Sequence, residues 1–142
     1  MTAAKSITWR PGGTRIVAYA VGVIMIVLTV AIAWALPDDI VFHFSERVTL
    51  GLILGATLLG LHGIGRSNVM ADETGVHVLN GFRQHDVAWA DIQGFSMNTG
   101  APWPTLVTTN DDRIMLFAIQ GSEGGFARAA VEELDRRLVA SR

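Results

Sequence analysis

The sequence predicts an α+β membrane protein: a two-helix transmembrane hairpin, then a small β-barrel or sandwich closed by a C-terminal amphipathic helix. Three observations predict it. Residues 16–36 and 48–65 are uncharged, apolar runs. From residue 67 apolar and polar positions alternate, and turn-forming residues recur about every 8–12 positions. Beyond about residue 125 the apolar period changes to 3.6. The chain thus divides into an N-terminal segment (1–15), the hairpin (16–65) and a β-rich domain (66–142).

The first run, IVAYAVGVIMIVLTVAIAWAL, has twenty-one residues and is closed by Pro37. At about 1.5 Å per residue it matches the roughly 30 Å hydrocarbon core of a bilayer. Eleven of its positions are Ile, Leu or Val, which together favour insertion by roughly 3–7 kcal/mol. The second run, VTLGLILGATLLGLHGIG, lies between Arg47 and Arg66 and is richer in glycine. A buried helix of a soluble core is the alternative for either run, and length argues against it. For the first, a signal peptide is also an alternative. Its apolar part exceeds the usual length of about 7–15 residues, however, and no small-x-small site follows cleanly after Pro37.

Positive charge flanking a span selects the cytoplasmic side. Lys5, Arg10 and Arg15 precede the first run and Arg66 follows the second. The expected protein is therefore a multi-pass protein of the inner membrane. Both termini and the β-rich domain are cytoplasmic, and residues 37–47 lie outside. Trp9 and Trp34 stand near opposite ends of the first span, where indoles favour the interface. Phe42 and Phe44 are placed to dip back into the outer leaflet. Three pairs of small residues stand four apart: Gly51 with Gly55, Ala56 with Gly60, and Ala18 with Gly22. That spacing lets helices approach closely in lipid, either within the hairpin or against another membrane protein.

Six short strands follow. Val69 and Ala71 alternate before the turn Asp72-Glu73-Thr74-Gly75. Val76 and Val78 lead to Asn80-Gly81, a hairpin dipeptide. His85, Val87 and Trp89 continue at period two, and Ile92, Phe95 and Met97 form the next strand. Two prolines make Ala101-Pro102-Trp103-Pro104 a loop. Residues 105–109 and 113–119 form a last hairpin around Asn110-Asp111-Asp112. Phe126, Ala130, Val131, Leu134 and Leu138 then share one stripe of a helix over 125–140. Its apolar face has to cover an open side of the β unit.

Composition limits the chemistry. Half of the 142 residues are hydrophobic, 17% are charged, and the net charge is −2. Those values argue against disorder and against a nucleic-acid partner, which needs a basic face. With no cysteine, disulfides, thiolate metal centres and cysteine nucleophiles are excluded.

Two segments carry a family resemblance. Ala71-Asp72-Glu73-Thr74-Gly75-Val76 resembles a turn into the second strand, and Val87-Ala88-Trp89-Ala90-Asp91-Ile92, followed by Gly94-Phe95, resembles a recurrent hydrophobic-x-Trp-x-Asp-Ile segment. In this order after a helical hairpin, over residues 16–142, the chain resembles small bacterial membrane proteins with a pleckstrin-homology-like (PH-like) domain, frequent in actinobacteria. The resemblance implies a binding scaffold rather than an enzyme. Trp89 is then a core anchor and Asp91 a cap of the tight turn after it. Relatives that bind phosphoinositides carry several Lys and Arg between their first two strands; on this alignment of strands, that place holds the acidic Asp72-Glu73-Thr74-Gly75. From residue 67 on there are six Arg, no Lys and ten acidic residues.

Candidate chemical groups are few. His62 lies in the second span, where a polar residue suggests function; helix packing or a reach to the interface is the alternative. His43 is a loop residue. His77 and His85 flank the Asn80-Gly81 turn, a sparse start for a metal site, and no metal or cofactor is expected. Gly121-Ser122-Glu123-Gly124-Gly125 lacks the lysine of a phosphate loop and reads as a helix start. Asp111-Asp112 reads as a turn. Trp103 stands out, because Pro102 and Pro104 stiffen the loop that holds it. These three residues are the expected contact with a partner or the membrane, with core packing as the alternative.

Three readings of function result. The first is a membrane-anchored, non-catalytic adaptor or accessory subunit that contacts a membrane protein. The second is a lipid-binding module at the inner leaflet. The third is a component of an enzyme or transporter with a role for His62.

Overall fold

The computed structural model describes residues 5–142. Two compact units make up the chain: residues 12–65, and the segment up to Pro11 together with Arg66–Arg142.

The first unit holds helices α1 (Gly12–Ala35) and α2 (Phe44–Arg66). Both are long and apolar enough to cross a membrane. Their 24 and 23 residues extend about 36 and 34 Å. Most of their large apolar side chains are exposed, Ile16, Val27, Ile32, Leu52 and Leu59 among them. A helix that is apolar all round and uncovered by protein suits lipid rather than water. Hydroxyls are satisfied locally: Thr29, Thr49 and Thr57 each donate to the carbonyl four residues back, at 2.7, 2.9 and 2.8 Å. The Glu46 carboxylate accepts the His43 backbone N–H at 2.8 Å, which caps the start of α2.

Contacts between the helices run in opposite chain directions. Tyr19 meets His62 and Gly22 meets Leu58 and Leu61, so the pair is antiparallel. A Cβ at Gly22 would lie 3.3 Å from Leu58 Cδ2, and one at Gly65 would lie 2.9 Å from the Tyr19 ring. Ala18, Gly22, Gly63 and Gly65 are buried. Gly51, Gly55, Ala56 and Gly60 are exposed, and a Cβ on any of the three glycines would meet open space. At about 100° per residue, Ala56 and Gly60 lie roughly opposite Leu58 and Leu61. Of the small pairs, only Ala18 with Gly22 sits between the two helices.

In the second unit, sheet one has the order β1 (Ile7–Trp9), β2 (Asn68–Ala71), β3 (Gly75–Asn80), β4 (Arg83–Ala88). Sheet two has the order β5 (Ile92–Ser96), β6 (Thr105–Thr108), β7 (Arg113–Met115). All pairings are antiparallel. Helix α3 (Gly125–Ser141) follows. Val69, Ala71, Val76 and Val78 from sheet one, Ile92 and Leu106 from sheet two, and Ala127, Ala130, Leu134 and Leu138 from α3 form one core.

Three details differ from the sequence reading. First, the segment before α1 is not separate from the β domain. Ile7 pairs with Ala71 and Trp9 with Val69, so the helical hairpin is the connection between β1 and β2. Trp9 is 7% exposed and belongs to the core, not to an interfacial belt. The strand has three residues and its partner lies some sixty positions on, so no local pattern marks it. Second, the α3 stripe contains Ala127 in place of Phe126, which is 47% exposed. Ala127, Ala130, Leu134 and Leu138 keep strict helical spacing, and side-chain size misleads where geometry decides. Third, β7 ends at Met115, yet Leu116, Ala118 and Ile119 are fully buried. The chain there leaves the ladder but stays in the core, with the Leu116 N–H donating to Pro104 O at 3.0 Å.

Arg137 fastens the β1 edge. Its guanidinium donates to Lys5 O at 2.7 Å and to Ala71 O at 3.4 Å, and Glu133 holds it at 2.9 Å.

Candidate functional site

Beyond β5 the chain enters the loop 97–104. Gly100 there takes φ +81, and the Ala101 N–H donates to Asn98 O at 3.0 Å. The loop is tied to the turn at residues 121–123, because the Gly121 N–H donates to Pro102 O at 2.8 Å. That approach requires glycine: a Cβ on Gly121 would sit 2.2 Å from Ala101 O. After Gly124, at φ +54, α3 begins. Loop, turn and helix enclose a cleft of about 660 Å³ lined by Met97, Asn98, Thr99, Ser122, Arg128 and Glu132 among others. Its walls offer amide and hydroxyl groups and one side chain of each charge.

Pro102 lines this cleft and is exposed. Trp103 is half-buried, with its ring 4.7 Å from that of Phe117 at 64°. Its indole N–H is buried, and so is one Glu123 carboxylate oxygen; among the described residues neither has a hydrogen-bond partner. Pro104 is fully buried and presents no surface. The expected contact residues therefore reduce, at the surface, to Pro102 and part of Trp103. The glycine-rich segment 121–125 is a single 3₁₀ turn leading into α3.

A second cluster lies on sheet one. His77 sits between two carboxylates: Nδ1 is 2.6 Å from Asp86 Oδ1 and Nε2 is 3.1 Å from Asp72 Oδ2. Asp72 also accepts the Thr74 hydroxyl at 2.6 Å and the Thr74 and Gly75 backbone N–H groups at 2.8 and 3.2 Å. Those bonds, led by the Thr74 hydroxyl, hold the Asp72 carboxyl at about 2, below its ordinary 3.8. The Asp86 hydrogen bond raises His77 above its ordinary 6.5, and the same bond lowers Asp86. His85 does not join them. It is opposite Val78, whereas His77 is opposite Asp86, so the two histidines point to opposite faces of the sheet. This cluster was within reach of the sequence: a two-residue turn at Gly81-Phe82 opposes 80 to 83 and therefore 77 to 86.

The other candidates have the following surroundings. Tyr19 OH is 3.0 Å from His62 Nδ1. His43 is exposed at the α2 cap. Asp111, at φ 64, forms the β6–β7 turn, where the Asp112 N–H donates to Thr108 Oγ1 at 3.1 Å. Asp91 ends the 3₁₀ turn Trp89–Asp91, and its carbonyl accepts the Thr109 N–H at 2.9 Å. Trp89 is 8% exposed and its indole N–H donates to Asp72 O at 2.9 Å. Finally, β1 shifts the strand count by one. Asp72-Glu73-Thr74-Gly75 joins the second and third strands, and the helices occupy the connection between the first two.

A family model described as Bacterial PH domain matches residues 66–137. Uncharacterized proteins of Mycobacterium bovis and of two strains of Mycobacterium tuberculosis are 31% identical over 150 residues, covering 99% of this chain and 94% of each relative. No solved structure matches. Strands β2–β4 of sheet one, all three strands of sheet two and most of α3 lie within the family match, and the relatives extend the likeness through the apolar helices: the chain belongs to the bacterial PH domain family.

Proposed function

We propose that this chain is a membrane-anchored, non-catalytic PH-like protein that acts as an adaptor or accessory subunit of a membrane protein assembly. The cleft between loop 97–104 and α3 carries the reading. It has the size of a recognition site and a mostly apolar lining with a few hydrogen-bonding groups, Arg128 and Glu132 setting its polarity. Next to Pro102 in its wall is the Trp103 indole, whose N–H has no hydrogen-bond partner among the described residues. The partner's cytoplasmic segment occupies the cleft. The two apolar helices hold the domain at the inner membrane, with both termini cytoplasmic, as the basic flanks Lys5, Arg10, Arg15 and Arg66 favour. The outward-facing Ala56 and Gly60 offer a close approach to a partner's own span.

A photoreactive residue at Thr99 or Val131 in the full chain tests this. Cross-linking in membranes to one defined membrane protein is expected, together with its loss on Arg128→Glu. A photoreactive residue at Asn110, on the β6–β7 turn, is the control. Equal labelling from all three positions, or recovery of the free chain alone, refutes the adaptor reading.

The second reading is a lipid-binding module at the inner leaflet; the surroundings of Phe82, described below, favour it as a complement. The third gives His62 a chemical role. Replacing it with Ala and finding full rescue of a deletion phenotype ends that reading.

A further inference from the structure

We infer that the β3–β4 turn is a second membrane contact, in which Phe82 enters the interfacial layer of the bilayer beside the end of α2. This rests on the reading that α2 spans the membrane.

Three observations bring the turn there. The Gly81 backbone N–H donates to Ser67 Oγ at 2.9 Å, one residue beyond the last residue of α2. The Arg66 guanidinium stands over the Phe82 ring at 5.2 Å. Phe82 is nevertheless 56% exposed, a large apolar surface at the tip of a hairpin. Gly81 takes φ 63 and Phe82 does not, the pattern of a type II′ turn. The turn geometry itself puts no demand on the side chain at the second position.

Lengths place the tip. Helix α2 extends about 34 Å against a hydrocarbon core of about 30 Å. The headgroup layer adds roughly 5–7 Å on each side. A turn hydrogen-bonded to residue 67 lies within that layer, not in the aqueous space beyond it.

The local chemistry fits a bilayer surface. Arg66 and Arg83 flank the ring and both are exposed; they suit lipid phosphates while the phenyl group enters the acyl boundary. Met115 is 50% exposed, and its carbonyl accepts from Asn80 Nδ2 at 2.6 Å, which adds a second apolar side chain to this end. Asp72, Glu73 and Asp91 are at the other end of β3 and β4.

The absence of cysteine makes the test direct. Single replacements Phe82→Cys, Asn110→Cys and Leu28→Cys in the full chain take an environment-sensitive dye. Each protein is reconstituted in vesicles of phosphatidylcholine and phosphatidylglycerol, some carrying nitroxide lipids. Asn110 is the aqueous control, since its neighbour Thr109 is bonded to Asp91 at the far end of β4. Leu28, in the middle of α1, reports on the spans. The expected result is blue-shifted, nitroxide-quenched emission at 28 and 82 but not at 110. Quenching at 28 with aqueous emission at 82 overturns this inference and leaves the membrane reading intact. Aqueous emission at 28 overturns both.

Discussion

Gly75 shows how narrowly single positions define this domain. A Cβ there would sit 2.1 Å from Val87 O and 2.9 Å from Ala88 Cα, so backbone, not a yielding side chain, opposes it. Gly75→Ala is expected to cost about 1–3 kcal/mol or more, read as a lower thermal midpoint by near-UV circular dichroism in detergent. His77 gives a pH dependence of definite sign. Its raised value means that its contribution is complete below 6.5 and fades as pH climbs through the folded value. Asp72 works in reverse: its contribution is complete above 3.8 and fades as pH falls toward about 2. Asp86, also lowered, follows Asp72, while Asp135, raised by burial, opposes them slightly in acid. The midpoint should therefore be highest between about 4 and 6.5 and decline on the alkaline side. His77→Gln should flatten that alkaline decline and remove the Asp86 share of the acid limb, leaving the share that Asp72 owes to Thr74 and Gly75. An unchanged alkaline limb in this variant would show that the cluster contributes nothing.

Elements whose signals are local were legible in the sequence, and those made by distant pairing were not. Asn80-Gly81 announced its own hairpin, Trp89 its own anchor, and the 3.6 period its own helix. By contrast, Ile7-Thr8-Trp9 has no turn beside it and finds its partner only across the two apolar helices. The cleft was equally invisible, because residues 97–102 and 121–132 meet only in the folded domain. On α2, four-residue spacing marked the small pairs but not their direction. A Cβ on Gly22 would lie 3.3 Å from Leu58 Cδ2, so Leu58 would have to shift to admit it and further still for a larger side chain, whereas Gly55 faces open space. Gly22→Leu should therefore weaken the hairpin and Gly55→Leu should not. Energy transfer between dyes at the ends of α1 and α2 measures this. Equal loss in both variants would contradict the assignment of faces. At the same scale, Trp9→Ala should cost the β domain about 3–5 kcal/mol, the usual range for a buried indole. That is a large share of the few kcal/mol that stabilise a domain of this size.

For the whole molecule, the pairing of β1 with β2 imposes a constraint that charge counting does not. Trp9, before α1, is paired with Val69, after α2. Both strands belong to one sheet, so residues before the first helix and after the second share one side of any membrane that the helices cross. If α1 crosses, α2 has to return. The basic flanks then decide only which side that is. This separates two claims that the positive-inside rule joins. Single replacements Lys5→Cys, Asp39→Cys and Ser141→Cys, probed with a membrane-impermeant maleimide on intact cells, test them independently. The expected pattern is labelling at 39 alone. Labelling at 5 and 141 but not at 39 would reverse the orientation and leave the sheet pairing untouched. Labelling at only one of 5 and 141 would break the pairing itself, because a sheet cannot be assembled from strands on opposite sides of a bilayer.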